Sequence, residues 1–193
     1  MNTKACLTLL SLAGLLVLAG CKTTPQMTNR PDFLSTYDHL QKVDGTTWRY
    51  VSAPLLANCN KFIARPVQVL FTQYKGQPIT AEQRERSSEF VRRAIVQAVS
   101  ARYPVVTDPG ADVAEIRTAI TEAYATGGKL GLCVQMEILD NSNTQVAAVV
   151  RTELSEYYVP DWENQATAGQ MVANWAQRLR NAIDEAHASR RAP

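Results

Sequence analysis

The side chains that could do acid–base or metal chemistry are few in this sequence and lie far apart. The chain has two histidines, His39 and His187, whereas metal sites and nucleophilic catalysis usually combine several His, Cys, Asp or Glu side chains in one place. His39 stands beside Asp38 without a recognisable nucleophile, and His187 is explained more simply as a cation near the end of a helix. We therefore expect no metal, no cofactor and no catalytic residue, and hence no enzyme.

A group of acidic and aromatic residues follows at positions 153–163. Paired carboxylates hydrolyse glycosidic bonds at set separations, so one hypothesis is a glycan-binding, small-molecule-binding or hydrolytic site that also uses Trp48 and Tyr50. The favoured interpretation is an exposed loop between a strand and a helix, which would contact another protein, because Tyr and Trp anchor interfaces. The candidate contact residues are Tyr157, Tyr158 and Trp162.

The sequence contains no recognisable phosphate-binding loop and no sign of nucleic-acid binding. The glycine-rich stretch at 127–131 (Gly-Gly-Lys-Leu-Gly) precedes a predicted strand and not a helix, so it lacks the helix N-terminus that binds phosphate. The formal net charge of +2 is also too small to indicate a nucleic-acid-binding protein.

The first 20 residues have the order of a secretory signal: a positive charge, an apolar run and small residues. Lys4 precedes the apolar run at positions 7–18, which is shorter than the about 20 residues of a membrane-spanning helix. The run ends in the string Leu18-Ala19-Gly20-Cys21. This string resembles the cleavage and lipidation motif of bacterial lipoproteins.

The resemblance implies that Cys21 becomes the lipidated first residue of the mature chain, with a diacylglyceryl group and usually an N-acyl chain. Two or more acyl chains give stable anchoring to a membrane. Lys22, where Asp would favour the inner membrane, indicates the outer membrane and a domain facing the periplasm. The alternative is an ordinary secretory signal whose cleavage site happens to contain a cysteine.

Cys59 and Cys133 are the two other cysteines of the mature chain. An even pair in an oxidising compartment suggests a disulfide, and both residues lie at or within predicted strands. The alternative hypothesis is two unpaired, buried thiols that act as small apolar residues.

Two amphipathic helices are indicated by apolar residues that recur at helical spacing. The first begins after Thr80, which has Gln83 at capping-box spacing, and it ends before Pro104. The second covers residues 163–188 and carries Trp175 on its apolar face.

Alternating apolar residues predict about five strands. These strands cover residues 61–74, 105–107, 114–121, 130–138 and 146–154, and Pro66 indicates an edge or a bulge in the first. Residues 33–40 are expected to form a short turn or helix, and 48–51 an irregular segment over the core. The predicted fold is α+β, a mixed or mostly antiparallel sheet with both helices on one face and one parallel strand pair.

The domain organisation follows from these elements. We expect a signal peptide at 1–20, a lipidated cysteine and flexible tether at 21–31, a single α+β domain at 32–188 and a basic tail at 189–193.

Short motifs along the mature chain are similar, in order, to those of a proteobacterial lipoprotein family, domain of unknown function 3313. They include Asp-Phe-Leu-Ser-Thr-Tyr-Asp-His-Leu at 32–40, Trp-Arg-Tyr-Val at 48–51, Ile-Arg-Thr-Ala-Ile-Thr-Glu-Ala at 116–123 and Glu-Ile-Leu-Asp at 137–140. Asp32 stands where the family often has Gly, and the stretch 124–131 is shorter than usual. The resemblance implies a lipid-anchored protein and carries no catalytic residues.

The expected function is thus a periplasm-facing envelope lipoprotein that acts as a protein-interaction or structural module. Its partners would be the membrane, through the lipid, and an envelope protein, but not nucleic acid. Besides the ligand-binding or hydrolytic alternative, a third hypothesis is a subunit of an oligomeric envelope assembly, with exposed strand edges pairing between copies.

Overall fold

The computed structural model describes residues 31–158 and 165–191. The predicted signal peptide, the lipidation motif ending at Cys21, the tether and Trp162 lie outside the described residues. Within the described part, no helix is both long enough and apolar enough to cross a membrane.

The described residues form three helices and nine strands. The helices are α1 (Ala53–Leu56), α2 (Ala81–Ser100) and α3 (Gln165–Arg191). The strands are β1 (Gln41–Lys42), β2 (Thr47–Val51), β3 (Lys61–Ala64), β4 (Gln68–Val69), β5 (Gln73–Tyr74), β6 (Gln77–Pro78), β7 (Val113–Thr126), β8 (Lys129–Leu139) and β9 (Gln145–Tyr158).

One sheet of seven strands organises the described residues, in the order β1-β2-β9-β8-β7-β3 with β4 also paired to β7. β3 and β4 run parallel to β7, and the other pairs are antiparallel. β5 and β6 form a separate two-stranded hairpin. The α+β class and the mixed sheet are confirmed, with more strands than predicted.

The extra strands arise where the sequence pattern is interrupted. The predicted strand at 61–74 is divided into β3, β4 and β5, with Pro66 between the first two, since proline cannot donate a ladder hydrogen bond. The predicted strand at 105–107 is reduced to one bridge, in which Val105 pairs parallel to Phe62.

Of two segments at the start of the domain, one differs from expectation and the other agrees with it. Residues 47–51 are not irregular but form β2, whose residues pair in register with β9 from Thr47–Arg151 to Val51–Ala147. Residues 33–40 form bends and a turn, the first of the two expected forms, and Phe33, Leu34 and Leu40 are buried.

The helix α2 begins as its sequence predicts. The Oγ1 atom of Thr80 accepts a hydrogen bond from the backbone N–H of Gln83 at 3.1 Å, and the backbone N–H of Thr80 donates to Oε1 of Gln83 at 2.8 Å. This capping box satisfies two backbone donors that the helix geometry leaves without partners. The buried residues Val91, Ile95 and Val99 then recur every four positions and face the sheet.

The helices pack on one face of the sheet, and the main core lies between them and that face. Successive side chains of a strand point to opposite faces, so β8 contributes its even-numbered residues to this core. These are Leu130, Leu132, Val134, Met136 and Ile138. The opposite face is covered by the segment 33–40, which packs on a smaller cluster that includes Ala119, Cys133 and Val150.

Candidate functional site

The two cysteines of the domain do not form the disulfide that was one expectation. Both thiols are free and buried. Cys59 follows α1 and belongs to the core under the helices, whereas Cys133 belongs to the cluster on the opposite face of the sheet. A disulfide is wrong here because the sheet separates the two side chains. Burial raises the pKa of the Cys59 thiol to about 11, as expected for an inert structural cysteine.

The two histidines are separate and each has a structural environment. The ring of His39 lies 4.9 Å from the ring of Tyr50. The ring of His187 lies 5.2 Å from that of Tyr103, and its Nε2 atom lies 3.1 Å from the carbonyl oxygen of Cys59. Among the residues that the structure describes, no three His, Cys, Asp or Glu side chains come together as a metal site would require.

The acidic and aromatic group at 153–158 lies in a strand, not in a loop. β9 was expected to end at Leu154 but continues to Tyr158, so the backbones of Tyr157 and Tyr158 belong to the sheet. Glu153 contacts Trp175 of α3 on the helical side, whereas Trp48 and Tyr50 pack with the segment 33–40 on the other face. Trp48 and Tyr50 therefore lie on the face of the sheet opposite to Glu153.

A groove lies between the edge of the sheet and α3. It is a cavity of about 280 Å³ that is lined by residues of β2, β8, β9 and α3. Its floor consists of aliphatic side chains from β2, β8 and β9, namely Val51, Val134, Met136, Ala147 and Val149. Trp175, Leu179 and Ala182 of α3 form its wall. Such a mostly apolar concave surface at the junction of two layers is typical of ligand sites.

One end of the groove is held by a polar network around Arg151, whose side chain is 16% exposed. Its Nη1 atom donates to Oγ1 of Thr47 at 2.7 Å, and its Nε atom donates to Oε2 of Glu153 at 3.0 Å. The same carboxylate oxygen accepts from Nε1 of Trp175 at 2.6 Å. The network therefore connects α3 to β2 and β9.

The rim of the groove carries further charges. Hydrogen bonds from the backbone and side chain of Thr46 hold the pKa of Asp44 below its usual value, so this carboxylate stays ionised near Arg151, 3.9 Å away. Across the groove, Nη2 of Arg49 lies 3.4 Å from Oε2 of Glu185. Arg178 also lines the groove, and no acidic side chain of the described ranges forms an ion pair with it.

A second polar cluster lies on the opposite face of the sheet, under the start of the domain. Glu137 of β8 is fully buried. Its Oε2 atom accepts from the backbone N–H and the hydroxyl of Ser35, both at 2.8 Å, and from Nε2 of Gln145 at 2.9 Å. Its Oε1 atom lies 2.9 Å from Nη1 of Arg117. Because a buried carboxylate is costly without partners, this set of contacts fixes the segment at Ser35 on the sheet.

Gln135, two residues before Glu137 on the same face, binds the segment at two more points. Its Oε1 atom accepts from the hydroxyl of Tyr37 at 2.6 Å, and its Nε2 atom donates to the carbonyl oxygen of Pro31 at 3.1 Å. This cluster was not predicted from the sequence. The available signal was the polar pair Gln135 and Glu137 at alternate positions of a strand that is otherwise apolar, which indicates a buried partner on that face.

The edge of β9 is the third feature. β9 pairs with β2 as far as Arg151. Next to this pair, the backbone N–H of Thr152 donates to the carbonyl oxygen of Thr46 at 2.9 Å. β9 then runs on to Tyr158 beside β8, and within the described ranges no strand lies on its other side. Leu154, at the centre of this stretch, is 47% exposed.

One family model matches part of the sequence. Residues 30–132 match the family model described as "Protein of unknown function (DUF3313)". No curated protein matches the chain.

Several solved structures resemble the fold. A PelC dodecamer from Paraburkholderia phytofirmans is 14% identical, with a TM-score of 0.48 over 72% of this chain and 96% of that chain. The hypothetical protein CT253 from Chlamydia trachomatis is 11% identical, with a TM-score of 0.42 over 65% and 99%. A minor lipoprotein from Acinetobacter baumannii is 12% identical, with a TM-score of 0.39 over 68% and 94%.

Proposed function

We propose that this chain, which belongs to the DUF3313 family of proteins of unknown function, is a non-enzymatic envelope lipoprotein. Acyl chains on Cys21 hold it to the outer membrane, and its domain faces the periplasm. There it docks an extended segment of an envelope protein against the edge of β9. Neither a cofactor nor a nucleic acid takes part.

The anchor is supported by the lipidation motif and by the way in which the domain begins. The string Leu18-Ala19-Gly20-Cys21 is followed by a polar stretch with prolines at positions 25 and 31, a composition typical of an extended linker. Among the described residues, Gln135 and Glu137 bind Pro31 and Ser35. These contacts join the start of the described domain to the central strand β8.

The single observation that carries the docking proposal is the length of β9. The strand pairs with β2 only as far as Arg151, yet it continues to Tyr158 with β8 on one side. A sheet edge is a template for an added strand, because its backbone groups can pair with another chain. The half-exposed Leu154 offers an apolar side chain beside that edge, and Tyr157 and Tyr158 continue the same strand.

Site-specific photocrosslinking in intact cells tests this proposal. A photoreactive amino acid replaces Leu154 in one strain and Arg93 in a control strain. Arg93 is an exposed residue of α2, a helix that packs on β3 and β4. We expect a discrete crosslinked protein from position 154 alone, and its loss in Leu154→Lys with a probe at Tyr158, since charged side chains block strand addition. Recovery of the monomer alone at 154, or equal products at both positions, would contradict the proposal. A crosslink to a second copy of this chain would favour an oligomeric assembly over a separate partner.

A further inference from the structure

We propose that the groove between the sheet edge and α3 binds a single acyl chain that carries an anionic head group, with Arg178 as the head-group ligand. This site lies on the helical face of the sheet and does not depend on docking at the β9 edge.

The apolar half of the site is the groove itself. Val51, Val149 and Ala182 remain partly exposed there, while Met136 and Trp175 beneath and beside them are buried. An aliphatic chain that replaces water over this surface gains the hydrophobic contribution without forcing the core to rearrange. The volume of about 280 Å³ is near the lower end of small-ligand cavities, which suits one chain better than a double-chain lipid.

Arg178 is assigned as the head-group ligand because the other arginines of the groove already have carboxylate partners. Arg151 is hydrogen-bonded to Glu153, and Arg49 lies in an ion pair with Glu185. Arg178 has no such carboxylate among the described residues, although it lines the same groove. The groove therefore presents one uncompensated guanidinium, and a guanidinium binds carboxylate or phosphate oxygens in pairs.

α3 brings the apolar wall of the groove and Arg178 onto the same side of the helix. Trp175, Arg178, Leu179 and Ala182 are spaced at three and four residues, so they share one face of α3. Because Arg178 is exposed while Trp175 is buried, a chain lying along the wall would keep its head group in water beside Arg178. A neutral peptide would leave this cation unused, which is why an anionic amphiphile is the occupant that fits.

Isothermal titration calorimetry tests the proposal on residues 21–193 with Cys21→Ser, a chain that retains every residue the structure describes. The probes are dodecyl phosphate, dodecyl maltoside and dodecyltrimethylammonium below their micellar concentrations, and inorganic phosphate. We expect saturable one-to-one binding of dodecyl phosphate, weaker binding of the neutral and cationic amphiphiles, and none of inorganic phosphate. Saturable binding of inorganic phosphate, or equal binding of the three amphiphiles, would overturn the proposal.

Three variants locate the site. Arg178→Glu should weaken dodecyl phosphate binding about tenfold or more, because the guanidinium contact is replaced by repulsion. Ala182→Trp should do the same by filling the groove, whereas Arg93→Glu on α2 should leave the affinity unchanged. Circular dichroism checks the fold of each variant, and Arg178→Glu, at an exposed position, keeps the test valid if Ala182→Trp misfolds. An unchanged affinity in Arg178→Glu would overturn the proposal.

A vesicle measurement separates the free amphiphile from a bilayer lipid. The same chain is sedimented with phosphatidylglycerol vesicles, and we expect no Arg178-dependent binding. Binding that Arg178→Glu abolishes would mean that the groove recognises a bilayer lipid and would overturn the single-chain assignment. Failure of the groove proposal leaves the crosslinking result at Leu154 unaffected, so the two proposals fail separately.

Discussion

At the scale of single residues, the fully buried carboxylate of Glu137 has the largest consequence. Glu137 receives hydrogen bonds from Ser35 and Gln145 and lies in an ion pair with Arg117. A buried charge with all these partners is tolerated, but removing the charge leaves the surrounding donors without an acceptor. The residue therefore couples the beginning of the domain to the middle of the sheet.

Glu137→Ala should lower the free energy of unfolding by about 3 kcal/mol, since it leaves the Arg117 guanidinium and the Ser35 donors without their buried acceptor. Urea unfolding measures this difference, and limited proteolysis should show faster cleavage within residues 31–40. The matched control is Glu115→Ala, which removes another strand carboxylate paired with an arginine, Arg65, at a more exposed position. The control should lose less than about 1 kcal/mol, and equal losses in the two variants would contradict this role for Glu137.

The Cys59 thiol should be unreactive in the folded protein. Its pKa is raised to about 11, so below that pH the reactive thiolate is a small fraction, and burial blocks access as well. Labelling with iodoacetamide at pH 8, read by mass spectrometry without reduction, should leave Cys59 and Cys133 unmodified in the native state and label both after denaturation. Unlabelled cysteines in the denatured, unreduced protein would mean that they are disulfide-bonded after all.

Among the helices and strands, local sequence signals predict where a helix begins but not which strands pair with each other. The capping box of α2 was visible in Thr80 and Gln83, because it depends on two residues three positions apart. The strand β2 was not visible, because its alternation is short and its pairing partner, β9, lies about 100 residues away. Its identity depends on tertiary pairing, which overrides weak local preference.

Thr80→Ala should lower the free energy of unfolding by about 1 kcal/mol, because the first turn of α2 loses its side-chain cap. Thr80→Ser, which keeps the hydroxyl acceptor, should restore most of the loss. Chemical unfolding of the three proteins under the same conditions measures both differences. A Thr80→Ser variant as unstable as Thr80→Ala would show that the cap hydrogen bond is not the source of the stability.

At the scale of the whole molecule, the α+β class, both long helices and the β8–β9 hairpin were predictable, because hydrophobic periodicity marks them directly. The groove was not predictable from the sequence, because its floor and wall come from four separate elements, namely β2, β8, β9 and α3. Its position depends on how these elements pack and not on any local pattern. The cluster around Glu137 was not predicted for a similar reason, because Ser35, which binds Glu137, lies 102 residues away in the sequence. The disulfide expectation failed because an even number of cysteines says nothing about which face each one occupies.

Lipid anchoring at Cys21 is tested most directly by metabolic labelling with a radioactive fatty acid. The full-length protein, Cys21→Ser and the matched control Cys6→Ser, which changes a cysteine within the signal, are expressed with labelled palmitate, and the cells are separated into soluble, inner-membrane and outer-membrane fractions. We expect label in the wild type and in Cys6→Ser, both in the outer membrane, and none in Cys21→Ser. Label that persists in Cys21→Ser, or an unlabelled wild type in the soluble fraction, would contradict the proposal that this protein is a lipid-anchored envelope protein.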